Sequence, residues 1–128
     1  MEQCVVQASV QQQQLEPGQL AKLAVEVASD KKATDVILLD IRGVSSIADY
    51  FVICTGSNSR QIRAIASAID EKLREHGLPA FHHEGAADSG WVLLDYSDVI
   101  VHIFGPKERD YYRLERLWSQ AQTVVYLQ

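Results

Sequence analysis

The alternation of apolar and polar positions divides this chain into helical and extended segments. From Gln19 to about Lys31 the apolar residues Leu20, Leu23, Ala24, Val27 and Ala28 recur at helical spacing, with Lys22, Glu26 and Asp30 facing away. Lys31 and Lys32 are expected in the last turn of that helix, where cations suit its dipole. Val36 to Ile41 is a short apolar run broken only by Asp40, and Tyr50 to Thr55 is denser still; both read as strands. Gly56 stops the second run. Ser57, Asn58 and Ser59 offer N-cap side chains, and Gln61, three residues after Asn58, fits a capping box. The helix that follows, from about Ser59 to His76, puts Ile62, Ile65, Ala66, Ile69 and Leu73 on one stripe, and Gly77 and Pro79 end it.

The second half reads as extended structure. Ala80 to Glu84 predicts a short strand. Trp91 to Leu94 and Val99 to Phe104 are apolar runs on either side of Asp95 to Asp98, the pattern of a β-hairpin. Pro106 opens a last helix with Tyr111, Leu114, Leu117 and Trp118 at helical spacing, and Val124 to Leu127 reads as one more short strand or a loose tail. Residues 1–18, with the run Gln11 to Gln14 and the close at Pro17-Gly18, read as a flexible leader, in which Val5-Val6 is weakly strand-like. The organisation expected is a leader at 1–18, one domain at 19–118 and a tail at 119–128.

Composition changes this picture little. A chain of 128 residues with 47% hydrophobic and 23% charged residues fits one ordinary globular domain. The net charge of −5 argues against sequence-specific or general nucleic-acid binding, which needs a basic footprint. Cys4 and Cys54 form no pair motif and suit a reducing compartment. No apolar run approaches the roughly 20 residues that span a bilayer, and the N-terminus lacks a secretory signal pattern. These features give the expectation of a cytoplasmic protein.

Charge is uneven where the hairpin lies. Glu84, Asp88, Asp95 and Asp98 are acidic, and no Lys or Arg occurs from Glu75 to Pro106. An acidic hairpin with Trp91 at the mouth of one strand suits docking on a basic partner. The competing expectation is a solvated turn with Trp91 in the core.

Catalytic patterns are weak. The Gly56-Ser57 turn before a helix is the kind of place where a nucleotide phosphate meets backbone N–H groups. The chemistry would also need two carboxylates alternating on a strand to hold Mg²⁺. Asp70-Glu71 are adjacent on the polar side of a helix, and Asp95 and Asp98 are separated across a turn. His82 and His83 point to opposite faces of a strand, so a metal site is not expected. Cys54 lies in an apolar run, no Gly-x-Ser-x-Gly elbow exists, and His102 reads as a core or sheet-surface histidine. No catalytic residue, cofactor or enzymatic activity is expected.

The segments Ala48-Asp49-Tyr50-Phe51-Val52-Ile53-Cys54-Thr55-Gly56-Ser57, Arg60-Gln61, Glu84-Gly85, Trp91 through Phe104, and Tyr111 through Trp118 together closely resemble the ribosomal silencing factor, or Iojap-like, family. The resemblance covers about Leu20 to Trp118. It implies an α/β (α+β) fold, a mixed sheet of about five strands flanked by helices, similar to nucleotidyltransferases without their catalytic carboxylates. It also implies a factor that binds the fourteenth protein of the large-subunit series, on the intersubunit face, and sterically blocks subunit joining. Such factors are homodimers when free. The family has bacterial and organellar members, and the lack of an Arg-rich, acid-poor transit peptide favours a bacterium. Two alternatives stand beside this reading: a homodimeric adaptor with no ribosomal role, and a degenerate nucleotide binder.

Combined with the charge pattern, the resemblance points to an interface of Trp91, Leu93, Asp95 and Tyr96, with Glu84, Asp88 and Asp98 at its rim. Period two places Trp91, Leu93 and Asp95 on one face and Val92, Leu94 and Tyr96 on the other, so Tyr96 reaches the partner only if the turn twists.

Overall fold

The computed structural model describes residues 15–112 and 121–127. Three helices, α1 (Pro17–Asp30), α2 (Ser59–Glu75) and α3 (Pro106–Tyr112), accompany six strands: β1 (Thr34–Asp40), β2 (Tyr50–Thr55), β3 (His82–Ala86), β4 (Trp91–Asp95), β5 (Val99–Phe104) and β6 (Gln122–Leu127). The strands form one mixed sheet in the order β3-β4-β5-β2-β1-β6. β2 and β5 pair in parallel at its centre and the other neighbours are antiparallel. The mixed fold matches expectation. The sixth strand, beside the five or so expected, is Gln122–Leu127, where the sequence leaves a short strand or a tail open; it pairs with β1. The expected strand at Val5-Val6 and the helical positions Leu114, Leu117 and Trp118 lie outside the described residues.

Both faces of the central strands are covered. On one face α1 and α2 pack over Val36, Leu38, Val52, Cys54, Val101 and Ile103. On the other, Ile37, Leu39, Phe51, Ile53, Ile100 and Phe104 form a second cluster, against which Trp91 and Leu93 pack half-buried. Arg109 of α3 is buried and donates from Nη1 to the Thr55 hydroxyl at 2.9 Å, tying that helix to the end of β2. The buried stripe of α2 is the one its sequence predicts. That of α1 is rotated: Ala21 and Val25 are buried, while Leu23 and Val27 are half-buried. Four alanines or valines at 21, 24, 25 and 28 let α1 sit close on its neighbours.

The helix ends differ from the sequence expectation in instructive ways. α1 starts at Pro17, the N1 position where its missing N–H costs nothing, and Glu16 and Gln19 cap one another reciprocally. Lys31 and Lys32 lie past the last turn. Lys32 takes a left-handed φ of 68°, and Ala33 N–H reaches back to the Ala28 carbonyl. α2 ends in the same motif with a glycine: Gly77 has φ 75°, and Leu78 N–H bonds to Leu73 and Gly77 N–H to Arg74.

Edge strand β3 depends on Gly85. Its φ of 82° is left-handed, and a Cβ there would collide with the Trp91 carbonyl oxygen. Gly85→Ala is expected to cost about 1–3 kcal/mol through strain and displacement of β3 from β4. The urea midpoint of the variant measures this; an unchanged midpoint would contradict the close approach.

Candidate functional site

The β3–β4–β5 end of the sheet carries the acidic and aromatic residues. Register sets their faces. Ala86 pairs with Trp91, Glu84 with Leu93 and His82 with Asp95 across β3 and β4; Trp91 pairs with Phe104, Leu93 with His102 and Asp95 with Ile100 across β4 and β5. Paired side chains share a face, so Glu84, Trp91, Leu93, Asp95 and His102 all lie on the side away from α1 and α2. Glu84, Gly85, Ser89, Trp91 and Leu93 line a cavity of about 210 Å³ there.

Beneath that cavity the aromatic packing is ordered. Trp91 stacks on Phe104 with centroids 5.3 Å apart, and on His102 at 6.0 Å. Phe51 meets His102 edge-on at 4.9 Å. Trp91 Nε1–H donates to His102 Nδ1 at 3.3 Å. An Nδ1 that accepts requires the proton on Nε2, and Nε2 is buried with no partner among the described residues. His102 is 5% exposed. Burial pulls its pKa down from 6.5 to about 4, so the ring is neutral near pH 7.

The other expected site residues divide. Asp98 is exposed in the turn, and its carbonyl accepts from Asp49 and Tyr50 N–H. Asp95 is half-buried beside Leu93 on the same face, and its carboxylate accepts from Ser97 N–H at 2.7 Å, bracing the turn where Ser97 has φ 75°. Asp88 is exposed but leans to the helix side, 3.6 Å from Arg63 of α2. Tyr96 is a correction: the turn does not twist it round. It is buried against α2 with its hydroxyl 3.5 Å from Asp70, so it does not share the Trp91 face. Burial, reinforced by the Asp70 carboxylate, raises its pKa.

The Gly56-Ser57 corner is filled by the chain itself. Gln61 Oε1 accepts from Ser57 N–H at 2.6 Å and from the Ser57 hydroxyl at 2.8 Å. Its amide nitrogen donates to the carbonyls of Lys31 and Lys32, joining the start of α2 to the end of α1. Asn58 caps Gln61 N–H at 2.9 Å. The N–H group of Ser57 that a phosphate would use is therefore already bonded. Cys54 is fully buried and its pKa is pushed up to about 12, which leaves the thiol inert.

The family model described as "Ribosomal silencing factor during starvation" matches residues 13–128. The chain belongs to the ribosomal silencing factor family. It is 44% identical over 106 residues to ribosomal silencing factor RsfS of Halalkalibacterium halodurans, covering 83% of this chain and 91% of that one. Against the Bacillus subtilis factor it is 43% identical, over 80% of this chain and 86% of the relative. The chloroplastic Iojap protein of Zea mays is 36% identical, over 77% of this chain and 43% of that longer protein. A crystal structure from Chromobacterium violaceum superposes with a TM-score of 0.78 at 37% identity, covering 88% of this chain and 92% of that one.

Within this member of the silencing factor family, the sequence reading missed His102 as part of the site. The signal was present in the hairpin register. A turn taken as Asp95 to Asp98 places Trp91 opposite His102; the observed pairing shifts this by two residues without changing faces. Either register puts the histidine under the tryptophan.

The lowered His102 pKa gives a pH dependence of stability. The unfolded chain binds this proton near pH 6.5 and the folded chain only near pH 4. The contribution is therefore complete above pH 6.5 and falls as pH drops towards 4, by at most about 3 kcal/mol. Denaturation midpoints between pH 7 and 4 should show this fall, and His102→Leu should flatten it. An equal slope in both proteins would show that His102 titrates normally.

Proposed function

We propose that this chain binds the large ribosomal subunit through the fourteenth protein of the large-subunit series and prevents the small subunit from joining. The observation that carries the reading is the cavity over Trp91 and Leu93 with the Glu84 carboxylate in its lining, in a chain of the ribosomal silencing factor family. Trp91 and Leu93 supply apolar contact at the centre with exposed Glu84 beside them, and exposed Asp98 adds charge from the β4–β5 turn. A basic ribosomal surface complements them, and steering speeds encounter. Asp88 contributes less, being next to Arg63, and Asp95 contributes its field while holding its own turn. Tyr96 supports the strand from behind.

The mechanism is steric and needs no bond making or breaking, cofactor or metal. The protein acts in the cytoplasm and is a homodimer when free. The nucleotide-binding alternative is disfavoured because Gln61 occupies Ser57 N–H, and the adaptor alternative leaves the family's ribosomal role without a purpose.

Co-sedimentation with isolated large subunits, followed by addition of small subunits, tests the reading. Binding with loss of joined ribosomes is expected; no binding by folded protein would overturn it. Trp91→Ala should weaken binding by about 2 kcal/mol or more, roughly 30-fold, as for a central aromatic anchor. An undiminished affinity would remove Trp91 from the interface. Glu84→Lys with Asp98→Lys should slow association and reduce its salt dependence, measured by stopped flow. These two are preferable to Asp95, whose carboxylate holds the turn. Rates unchanged in both charge and salt response would exclude steering.

A further inference from the structure

We propose that His102 is a positioning residue for the docking face, its Nδ1 holding the Trp91 indole in the orientation that the partner meets. This rests on the docking reading above. Indole has one hydrogen-bond donor, and here it points inward to His102 at 3.3 Å. The rest of the ring is thereby turned to the cavity wall, beside Leu93 and Glu84. Stacking on Phe104 fixes the ring plane at 26° to its neighbour. Stacking on a flat ring fixes the plane of the indole more than the direction of its N–H. The hydrogen bond sets that direction, because only one edge bears the N–H.

His102 is itself firmly held. It lies 6.1 Å from Phe104 with the two rings within 4° of parallel, and Phe51 closes its other side edge-on. A positioning group must be less mobile than what it positions, and His102 is buried while Trp91 is half-buried. An apolar side chain would suit this stack at least as well for stability, since it would remove an Nε2 that has no partner among the described residues. A polar ring at this position is therefore explained by what it does for Trp91.

The test uses the full chain labelled with ¹⁵N, with the Trp91 indole resonance identified by its loss in Trp91→Phe. His102→Leu has similar volume and no acceptor. It should keep or raise the melting temperature, move the indole N–H upfield and speed its exchange with solvent. Binding to large subunits should weaken about tenfold, the scale of one hydrogen bond at a hot spot. His102→Asn, whose amide oxygen stands near Nδ1, should recover most of both; His102→Gln, with its oxygen near Nε2, should not. An indole resonance unmoved in His102→Leu would overturn the proposal, as would a moved resonance with full affinity. Should the leucine variant fail to fold, equal affinity of the Asn and Gln variants would overturn it instead. Full affinity in Trp91→Ala would instead reject the docking reading itself, a result separate from the indole shift.

Discussion

The parallel pairing of β2 with β5 is the constraint on which the rest of the fold depends. Two hydrogen-bonded strands at the centre of a sheet have no solvent face, so nearly every side chain on them must be apolar or internally bonded. Val99–Phe104 is buried at all six positions, and β2 at all but Tyr50. This requires a layer on each side. α1 and α2 supply one, with alanines where the helix must lie close. On the other, Thr55 receives the buried Arg109 guanidinium and His102 receives Trp91. The two polar side chains of the central pair thus each recruit a specific group from a flanking element. A purely apolar surface would tolerate several placements of those elements; a hydrogen bond selects one.

That same constraint explains why the half-buried aromatic face lies at the β3–β4 end. Burial declines outward from β5: β4 alternates buried and half-buried, and β3 is exposed throughout. The gradient leaves Trp91 and Leu93 half-buried against the second cluster. Such residues lose little conformational freedom when a partner covers them, because the fold has already ordered them. Glu84 sits farther out on exposed β3, and Asp98 is exposed in the β4–β5 turn.

Much of this was legible in the sequence because it depends on local period. The stripe of α2, the span Tyr50–Thr55 and the shared face of Trp91, Leu93 and Asp95 follow from spacings of 3.6 and 2. What was not legible depends on contacts distant in sequence. Val124 to Leu127 left a strand and a loose tail both open, and the edge that β1 offers decides for the strand Gln122–Leu127. Gln61 looked like half of a capping box, yet its side chain serves Ser57 and the carbonyls of Lys31 and Lys32, some 30 residues away. Tyr96 looked like an interface aromatic because it adjoins the turn, but parity assigned it to α2. Strand parity was the better guide than proximity in sequence.

A docking surface that acts by exclusion faces a demand different from that of an enzyme. It must present one shape, since each alternative orientation of a central anchor lowers the fraction of molecules ready to bind and weakens apparent affinity in proportion. Stacking fixes the plane of an indole, and a hydrogen bond to its N–H fixes which edge turns inward. The N–H lies in the ring plane, so the acceptor must stand at the ring's edge, as His102 Nδ1 does. Among uncharged side chains, imidazole combines a flat face for stacking with an in-plane acceptor, and it stays neutral in this setting because burial opposes its charge. A carboxylate would bring an unpaired buried charge, and a carboxamide would stack less well on Phe104. The strand buried on both faces thus carries a nitrogen without a partner among the described residues beside a hydrogen bond that orients Trp91, which connects the central pairing of the sheet to the proposed docking face.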